Sequence, residues 1–574
     1  FLMTLIFGSA VAWADANVNG TVTDQAGEPL IGVSVMVKGT SKGTMTDIDG
    51  NYSLAGVPTP STLVFSYMGM VGQEFKIEGS QTLNVVMSED ALSLDDVVVI
   101  GYGSAKAKDL TAPIAVVQGS DLTDIPTSSP MAALTGKVPG VNILNSGQPG
   151  AGPKVQVRGI GSFSDSSPLY VVDGIFYDNI NFLNNDDIKE MSILKDASAA
   201  AIYGVKAANG VVLITTKRGQ RNQEAKITYN GYVGFQRATN KLKMASSNEY
   251  AQMLMEANPT AYKSYIDAAV EHYGGSYDAA AGIYNLAVNT DWYDELLREA
   301  VMTNHSLTIS GGGEKSTYSL GLNYLYQNGI QKAENNYNRL NFRAQVEYEA
   351  KPWLKVGFNG IFSKSNQRMA NNAAWIQAFT MPGLMPVYDS NNTTSTPVNY
   401  ASPMTLGYTN NFYNPVATAN YYNSRNENYQ AMTNFYADFT FIPSKLTFRT
   451  SYGYDFSSIR GKTMTEPYYV SNVQQNTESL LVKESTDYNK WVWDNVLTYT
   501  DTYDKHNWGA MVGYSMRQDR YDWLQGQANG VPWQNTAWWY IAQGDGTTSK
   551  ANDNGTRYRS QSVFALSLIH ISEP

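Results

Sequence analysis

Residues able to do chemistry are few and scattered. The four histidines, His272, His305, His506 and His570, lie far apart in the chain. No H-E-x-x-H, G-x-S-x-G or P-loop spacing is present. Cysteine is absent, so neither a disulfide framework nor a thiolate metal site can form. The run Asp47-Ile48-Asp49-Gly50-Asn51 has the alternating carboxylates of a calcium loop. An EF-hand needs Gly at loop position six and a late Glu, and that position holds Tyr52, so the run reads as a turn. Gly159 and Gly161 form a G-x-G without the third glycine of a dinucleotide fingerprint. Asp173 is a conceivable catalytic carboxylate, but beside Gly174 it is more typical of a turn. No enzymatic activity, metal or cofactor is expected. The formal charge of −10 and the lack of a basic run argue against nucleic acid as a partner.

Without chemistry to position, the question becomes what so long a chain is built for. Charged residues make up 16% of the 574 residues, against about 25% in ordinary globular proteins. Aromatics reach 12%, with 39 Tyr and 11 Trp. Mean hydropathy is nonetheless −0.31, and beyond the N-terminus no apolar run approaches the ~18 residues of a spanning helix. Low charge, many aromatics and moderate polarity fit an outer-membrane β-barrel, whose faces alternate. A secreted, Tyr-rich β-protein acting as an adhesin or binding protein is the alternative.

Alternation supports the barrel. Leu340, Phe342, Ala344, Val346 and Tyr348 share one face, and Asn341, Arg343, Gln345, Glu347 and Glu349 the other. Leu446, Phe448, Tyr452, Tyr454 and Phe456 oppose Thr447, Arg449, Ser451, Gly453 and Asp455. Residues 317–326, 353–364, 430–441 and 506–517 behave alike. These runs reach the ~9–11 residues of a membrane strand, and about ten strands are expected between 226 and 568. Connections near 312–315, 350–352, 443–444 and 501–505 are short. Those at 238–303, 328–337, 365–428, 458–487 and 518–558 are long. Bacterial barrels have short periplasmic turns and long external loops, so Ile227 to Gln236 should start in the periplasm. Within the first long loop, 248–257 and 292–300 read as helical. Phe1 to Ala14 ends in Ala12-Trp13-Ala14 and reads as an incomplete secretory signal. Residues 569–574 break the alternation and read as a truncated or artefactual end.

Several strings between 104 and 225 resemble a known family. They are VRGIGSF (from Val157), SPLYVVDGI (from Ser167) and ILKDASAAAIYG (from Ile193). In the last, Met191 to Leu194 reads as a strand, and Asp196 as the N-cap of an Ala-rich helix. Val211 to Thr216 reads as a second strand. In this order the strings resemble the plug of SusC/RagA-type TonB-dependent outer-membrane transporters. The resemblance implies a plug motif comprising Arg158, Gly159, Asp173, Gly174, Lys195, Asp196, Tyr203 and Gly204, with Arg158 and nearby acids facing the barrel wall. Residues 15–88, short strands with Asp, Gly and Pro turns, resemble the family's carboxypeptidase-regulatory-like β-sandwich. Residues 89–103 contain Asp95-Asp96-Val97-Val98-Val99-Ile100-Gly101-Tyr102, which resembles the TonB box. On composition alone this segment is an edge strand seeking a sheet.

The expected fold class is thus an all-β membrane protein. It is a partial transmembrane antiparallel β-barrel, about 10 of about 22 strands, preceded by a mixed α/β plug and a small β-sandwich. The resemblance implies import of a large nutrient, oligosaccharide or peptide, energised by TonB with its ExbB–ExbD complex. An SusD-like surface lipoprotein would serve as lid and outer-membrane lipid as surroundings. Among loop aromatics, Trp375, Tyr388, Tyr421, Trp523 and Trp538 are the candidate substrate contacts, because aromatic faces stack on sugars and also grip peptides.

Overall fold

The structure is a computed structural model. It describes residues 14–24, 27–38, 40, 42–67, 70, 72–87, 97–100, 103–106, 114–161, 166–196, 201–409, 412–503 and 506–571. The chain divides into Phe1–Thr111 and Ala112–Pro574.

The first unit holds two facing four-stranded sheets. Ala14–Thr23 pairs with Asn51–Thr59, Gln81–Thr82 and Val85–Val86. Ser34–Val37 lies between Gly43–Met45 and Ser61–Ser66, and Gln73–Ile77 completes that sheet. Alternate residues point inward from each sheet. Val18, Val35, Tyr52, Leu63, Phe65 and Ile77 make the core. Asp47 does turn chemistry, accepting the backbone N–H groups of Asp49 at 3.0 Å and Asn51 at 2.8 Å. Ala14 pairs with Thr59, so the strand begins at the last residue assigned to the signal. Phe1 to Trp13 lie outside the described residues.

In the second unit a five-stranded mixed sheet forms the centre of the plug. Its strands are β1 (Ile114–Gln118), β2 (Leu169–Val172), β3 (Ile175–Tyr177), β4 (Ile188–Leu194) and β5 (Val211–Thr216), in the order β1-β4-β5-β2-β3. Only β2 and β5 run parallel. The β2–β3 turn is Asp173-Gly174, with φ of 46° and 91°. Positive φ at both central residues is what a tight hairpin turn of this hand demands, hence Asp-Gly. The Asp173 carboxylate accepts the Thr216 hydroxyl at 2.6 Å and its N–H at 3.2 Å. Asp173 is therefore a structural turn. Most of the helix start expected from Asp196 lies outside the described residues. They contain a 3-10 stretch, Ala201–Ala207, broken at Gly204 with φ 67°, and Ala197 to Ala200 are outside them.

Ten antiparallel strands follow in chain order: β6 (Gln223–Gln236), β7 (Ala300–Gly312), β8 (Ser316–Asn328), β9 (Asn336–Lys351), β10 (Leu354–Met369), β11 (Tyr422–Ile442), β12 (Leu446–Thr465), β13 (Leu480–Tyr503), β14 (His506–Asn529) and β15 (Lys550–Ile571). The strands reach 24 residues in β13 and β14, well beyond the bilayer minimum. The ladder continues where the apolar signal stops, because main-chain pairing does not need lipid-facing side chains. The loops expected at 458–487 and 518–558 shrink to 466–479 and 530–549 accordingly. Leu568 to Ile571 do not break away. They pair with His506 to Gly509, and 572–574 lie outside the described residues.

The long loops carry helices α1 (Ser247–Ala257), α2 (Pro259–Tyr273), α3 (Trp292–Leu296), α4 (Asn372–Thr380) and α5 (Pro415–Asn420). Polar caps start each one. Ser246 and Glu249 form a capping box, while Asn258, Asp291, Asn371 and Asn414 cap the others. Trp292, Tyr293, Leu296, Ala374, Met385, Tyr400, Tyr408 and Tyr421 bury a shared core. The loops pack as one body.

Candidate functional site

Burial on the ten-strand sheet is inverted relative to a soluble protein. On β9, Leu340, Phe342, Val346 and Tyr348 are exposed, Phe342 by 44%, while Asn341, Arg343 and Gln345 are at most 2% exposed. Leu320, Leu322 and Tyr324 on β8, Phe435 on β11, Tyr452 on β12, Trp493 and Leu497 on β13, and Val512 on β14 continue the exposed apolar face. Water would penalise such a surface, whereas lipid requires it. This excludes the secreted soluble reading of the sheet.

The polar face is buried because the plug sits on it. Asn184 to Asp187 precede β4 and reach the wall. Asp187 accepts Arg343 Nε at 2.8 Å, and both side chains are almost fully buried. The same guanidinium donates to the Lys217 carbonyl at 2.8 Å and to Ser319 Oγ at 2.8 Å. Asp186 accepts Asn230 Nδ2 at 3.0 Å and Asn304 Nδ2 at 3.3 Å. Asn341 donates to the Phe182 carbonyl at 2.6 Å, and Arg339 to that of Asn181. Further round, Asn434 donates to the Asp173 carbonyl at 3.3 Å, Gln367 to that of Pro149 at 2.7 Å, and Lys490 pairs with Asp178. Apolar contact is limited: Met432 joins the plug core, with Ile361 and Val492 against it. The seam is thus mainly hydrogen-bonded.

The residues expected to matter fall in different places. Arg158, with φ 56°, pairs with Asp196 inside the plug rather than with the wall. Its neighbour Gly159 also has positive φ, 93°. Lys195 donates to the Pro139 carbonyl at 3.3 Å. Tyr203 packs edge-on against Phe176 at 5.8 Å. Of the TonB-box segment, Asp95, Asp96, Gly101 and Tyr102 lie outside the described residues. Val97–Ile100 pairs antiparallel with Gly103–Lys106. The strand has found a partner in Gly103–Lys106, and among the described residues no strand pairs with its other edge.

Among the loop aromatics, Trp375, Tyr388 and Trp538 are exposed. Trp375 lies 4.7 Å from the Tyr293 ring and Tyr388 5.2 Å from Tyr400. Tyr421 is buried, stacked on Tyr468 at 4.6 Å, so its role is to hold the loops together. Burial drives its hydroxyl pKa upward, helped by Tyr400. Trp523 is not in a loop but in β14, opposite Thr486. Sequence reasoning missed Asn184, Asp187 and Arg339 as wall contacts. For Arg339 the available signal was a charge in mid-strand, which a membrane barrel tolerates only facing inward; for Asn184 and Asp187, at a 3-10 turn of the plug, there was none.

Two family models match: a CarboxypepD_reg-like domain over residues 18–99 and a TonB-dependent Receptor Plug Domain over 106–211. TonB-dependent receptor SusC of Bacteroides thetaiotaomicron is 33% identical over 501 residues, covering 82% of this chain and 47% of the relative. The chain belongs to the SusC/RagA family of TonB-dependent receptors. TonB-dependent receptor P3 of Formosa agariphila is 30% identical over 523 residues, covering 88% of this family member and 48% of the relative. The RagAB peptide importer in its open-open state superposes with a TM-score of 0.69 at 25% identity, covering 83% of this SusC/RagA-type chain and 55% of that one. These relatives are receptors and an importer, not enzymes. The chain spans about half the length of the curated relatives it matches.

Proposed function

We propose that the chain is part of a TonB-dependent importer in the outer membrane. Its boundaries would be a signal at 1–14, the β-sandwich at 15–88, the TonB box at 89–103, the plug at 104–225 and the barrel from 226. The sandwich and TonB box face the periplasm, and the helical loop body faces outward. TonB adds to the open edge of the Val97–Ile100 strand through main-chain hydrogen bonds and pulls on the plug, using energy relayed from ExbB–ExbD. An SusD-like lipoprotein covers the loop body. The observation that carries this reading is the plug seated by polar contacts on the inner face of an apolar-out sheet, an arrangement fit for removal.

The proposed cargo is an oligosaccharide, held by exposed rings such as Trp375, Tyr388 and Trp538. A peptide is the second reading, favoured by Ile376 and Phe379, which are exposed beside Trp375 on α4. The test is deletion of Asp95–Tyr102 in the full-length protein, followed by uptake of labelled glycans and peptides. Uptake should vanish while membrane insertion and surface binding persist. Undiminished uptake would defeat the TonB-box assignment, and loss of peptide uptake alone would replace the glycan with a peptide.

A further inference from the structure

The register of the sheet assembles a row of cations that no window of sequence shows. Arg368 on β10 is directly opposite Arg425 on β11. Arg425 is opposite Lys462 on β12, and Lys462 opposite Lys483 on β13. Directly opposed residues share a face and stand close together. That face is the outer one. The exposed apolar residues Phe435, Tyr452 and Trp493 lie an even number of positions from Arg425, Lys462 and Lys483, and side chains alternate with period two.

Like charges so opposed repel one another, and the protein does little to neutralise them. Among the described residues Glu334 alone pairs with the row, at 2.8 Å from Arg368 and 3.7 Å from Arg425. Among the described residues neither Lys462 nor Lys483 has a carboxylate partner. Glu427 is engaged below the row by Lys364 at 3.1 Å. What covers the row instead is aromatic: Trp539 lies over Arg425 at 5.2 Å and Tyr540 over Lys483 at 4.9 Å. Lys364 is the first charge beyond the apolar band on β10. Arg368 is four residues further on, ~13 Å along the strand and ~10 Å in height at a barrel tilt of about 40°. The headgroup region is about 5–8 Å deep on each side, which puts Lys364 within it and the row at its outer margin.

We propose that this row binds the phosphate-bearing headgroups of the lipid leaflet on the long-loop side. The inference rests on the membrane placement proposed above. Among the described residues of this chain of net charge −10, one carboxylate, Glu334, serves four cations held together on the outer wall beneath Trp539 and Tyr540. Phosphate oxygens supply the missing acceptors, and guanidinium and ammonium groups suit them.

The test uses the full-length protein, inserted into vesicles of phosphatidylcholine or of an equal mixture of phosphatidylcholine and phosphatidylglycerol. Insertion is read as heat-modifiable mobility, and co-retained lipid is measured after gentle extraction. The wild type should retain phosphatidylglycerol over phosphatidylcholine in a ratio several-fold above that of the vesicle. Lys462→Gln with Lys483→Gln should bring that ratio back to within about two-fold of the vesicle's, since each cation is worth up to about five-fold, with insertion unchanged. Lys241→Gln with Lys263→Gln, removing the same charge from the loops, should leave the enrichment intact. Equal enrichment in the row variant, or none in the wild type, overturns the proposal while leaving the transporter reading standing. Failure to insert into either vesicle overturns both.

Discussion

Asp187 and Arg343 are the residues on which the seating of the plug most depends. Losing one partner leaves an uncompensated buried charge, which costs roughly 3–5 kcal/mol. Asp187→Ala should therefore loosen the plug while the barrel still inserts, seen as faster hydrogen exchange over β4 and β5 and as entry of large antibiotics. Unchanged exchange would mean that the pair is not what seats the plug. Replacing both by apolar residues of similar size should restore seating, since such swaps are often neutral or better, yet it should slow TonB-driven uptake. Arg343 was legible in the sequence as an inward position of an alternating strand. Its partner was not, because 156 residues separate them and periodicity says nothing about who sits opposite a side chain. The partner of Asp196 was equally hidden, because its carboxylate pairs with Arg158, 38 residues earlier in the chain.

Among the elements, the loops hang on Asn414. Fully buried, it donates to the carbonyls of Val387 at 2.9 Å and Ala401 at 3.2 Å, caps α5 and exchanges two hydrogen bonds with Gln474. Asn414→Ala strands those carbonyls at about 1–3 kcal/mol each. Limited proteolysis should then cut within 370–479 and substrate affinity should fall, with heat-modifiable mobility retained; intact loops would contradict this. Thiol chemistry checks which end is outside, since cysteine is otherwise absent. Ala280→Cys should react with an impermeant reagent on intact cells, and Ser444→Cys only after the outer membrane is opened. The opposite pattern would invert the topology. Strand existence and facing were legible because lipid imposes a strict two-residue period. Strand ends were not, since above the lipid both faces are polar and only the ladder persists, as in β14 from Gln518 to Asn529. The packed loop body was half legible: caps announce helices, but the Tyr400–Tyr421–Tyr468 packing joins residues from separate loops.

For the whole molecule, the ten strands form an open sheet with β6 and β15 at its edges. Lipid does not accept unpaired edges, and plugged transporters have about 22 strands. Residues 1–574 expressed alone should therefore fail to give a heat-modifiable band, whereas the full-length protein should give one. A heat-modifiable band from 1–574 would show that these strands close by another route.

The height of the wall has a consequence of its own. At 24 residues, β13 and β14 rise to about 60 Å at a tilt of about 40°, against an apolar band of about 25 Å. With short turns at one end, nearly all the excess stands on the other side. The mouth is then a chimney whose rim stands ~30 Å clear of the lipid. Antibodies and phage tails would meet that rim before they met the membrane. The rim is therefore where sequence drift under immune or viral attack should concentrate, leaving the inward face of the same strands to change slowly.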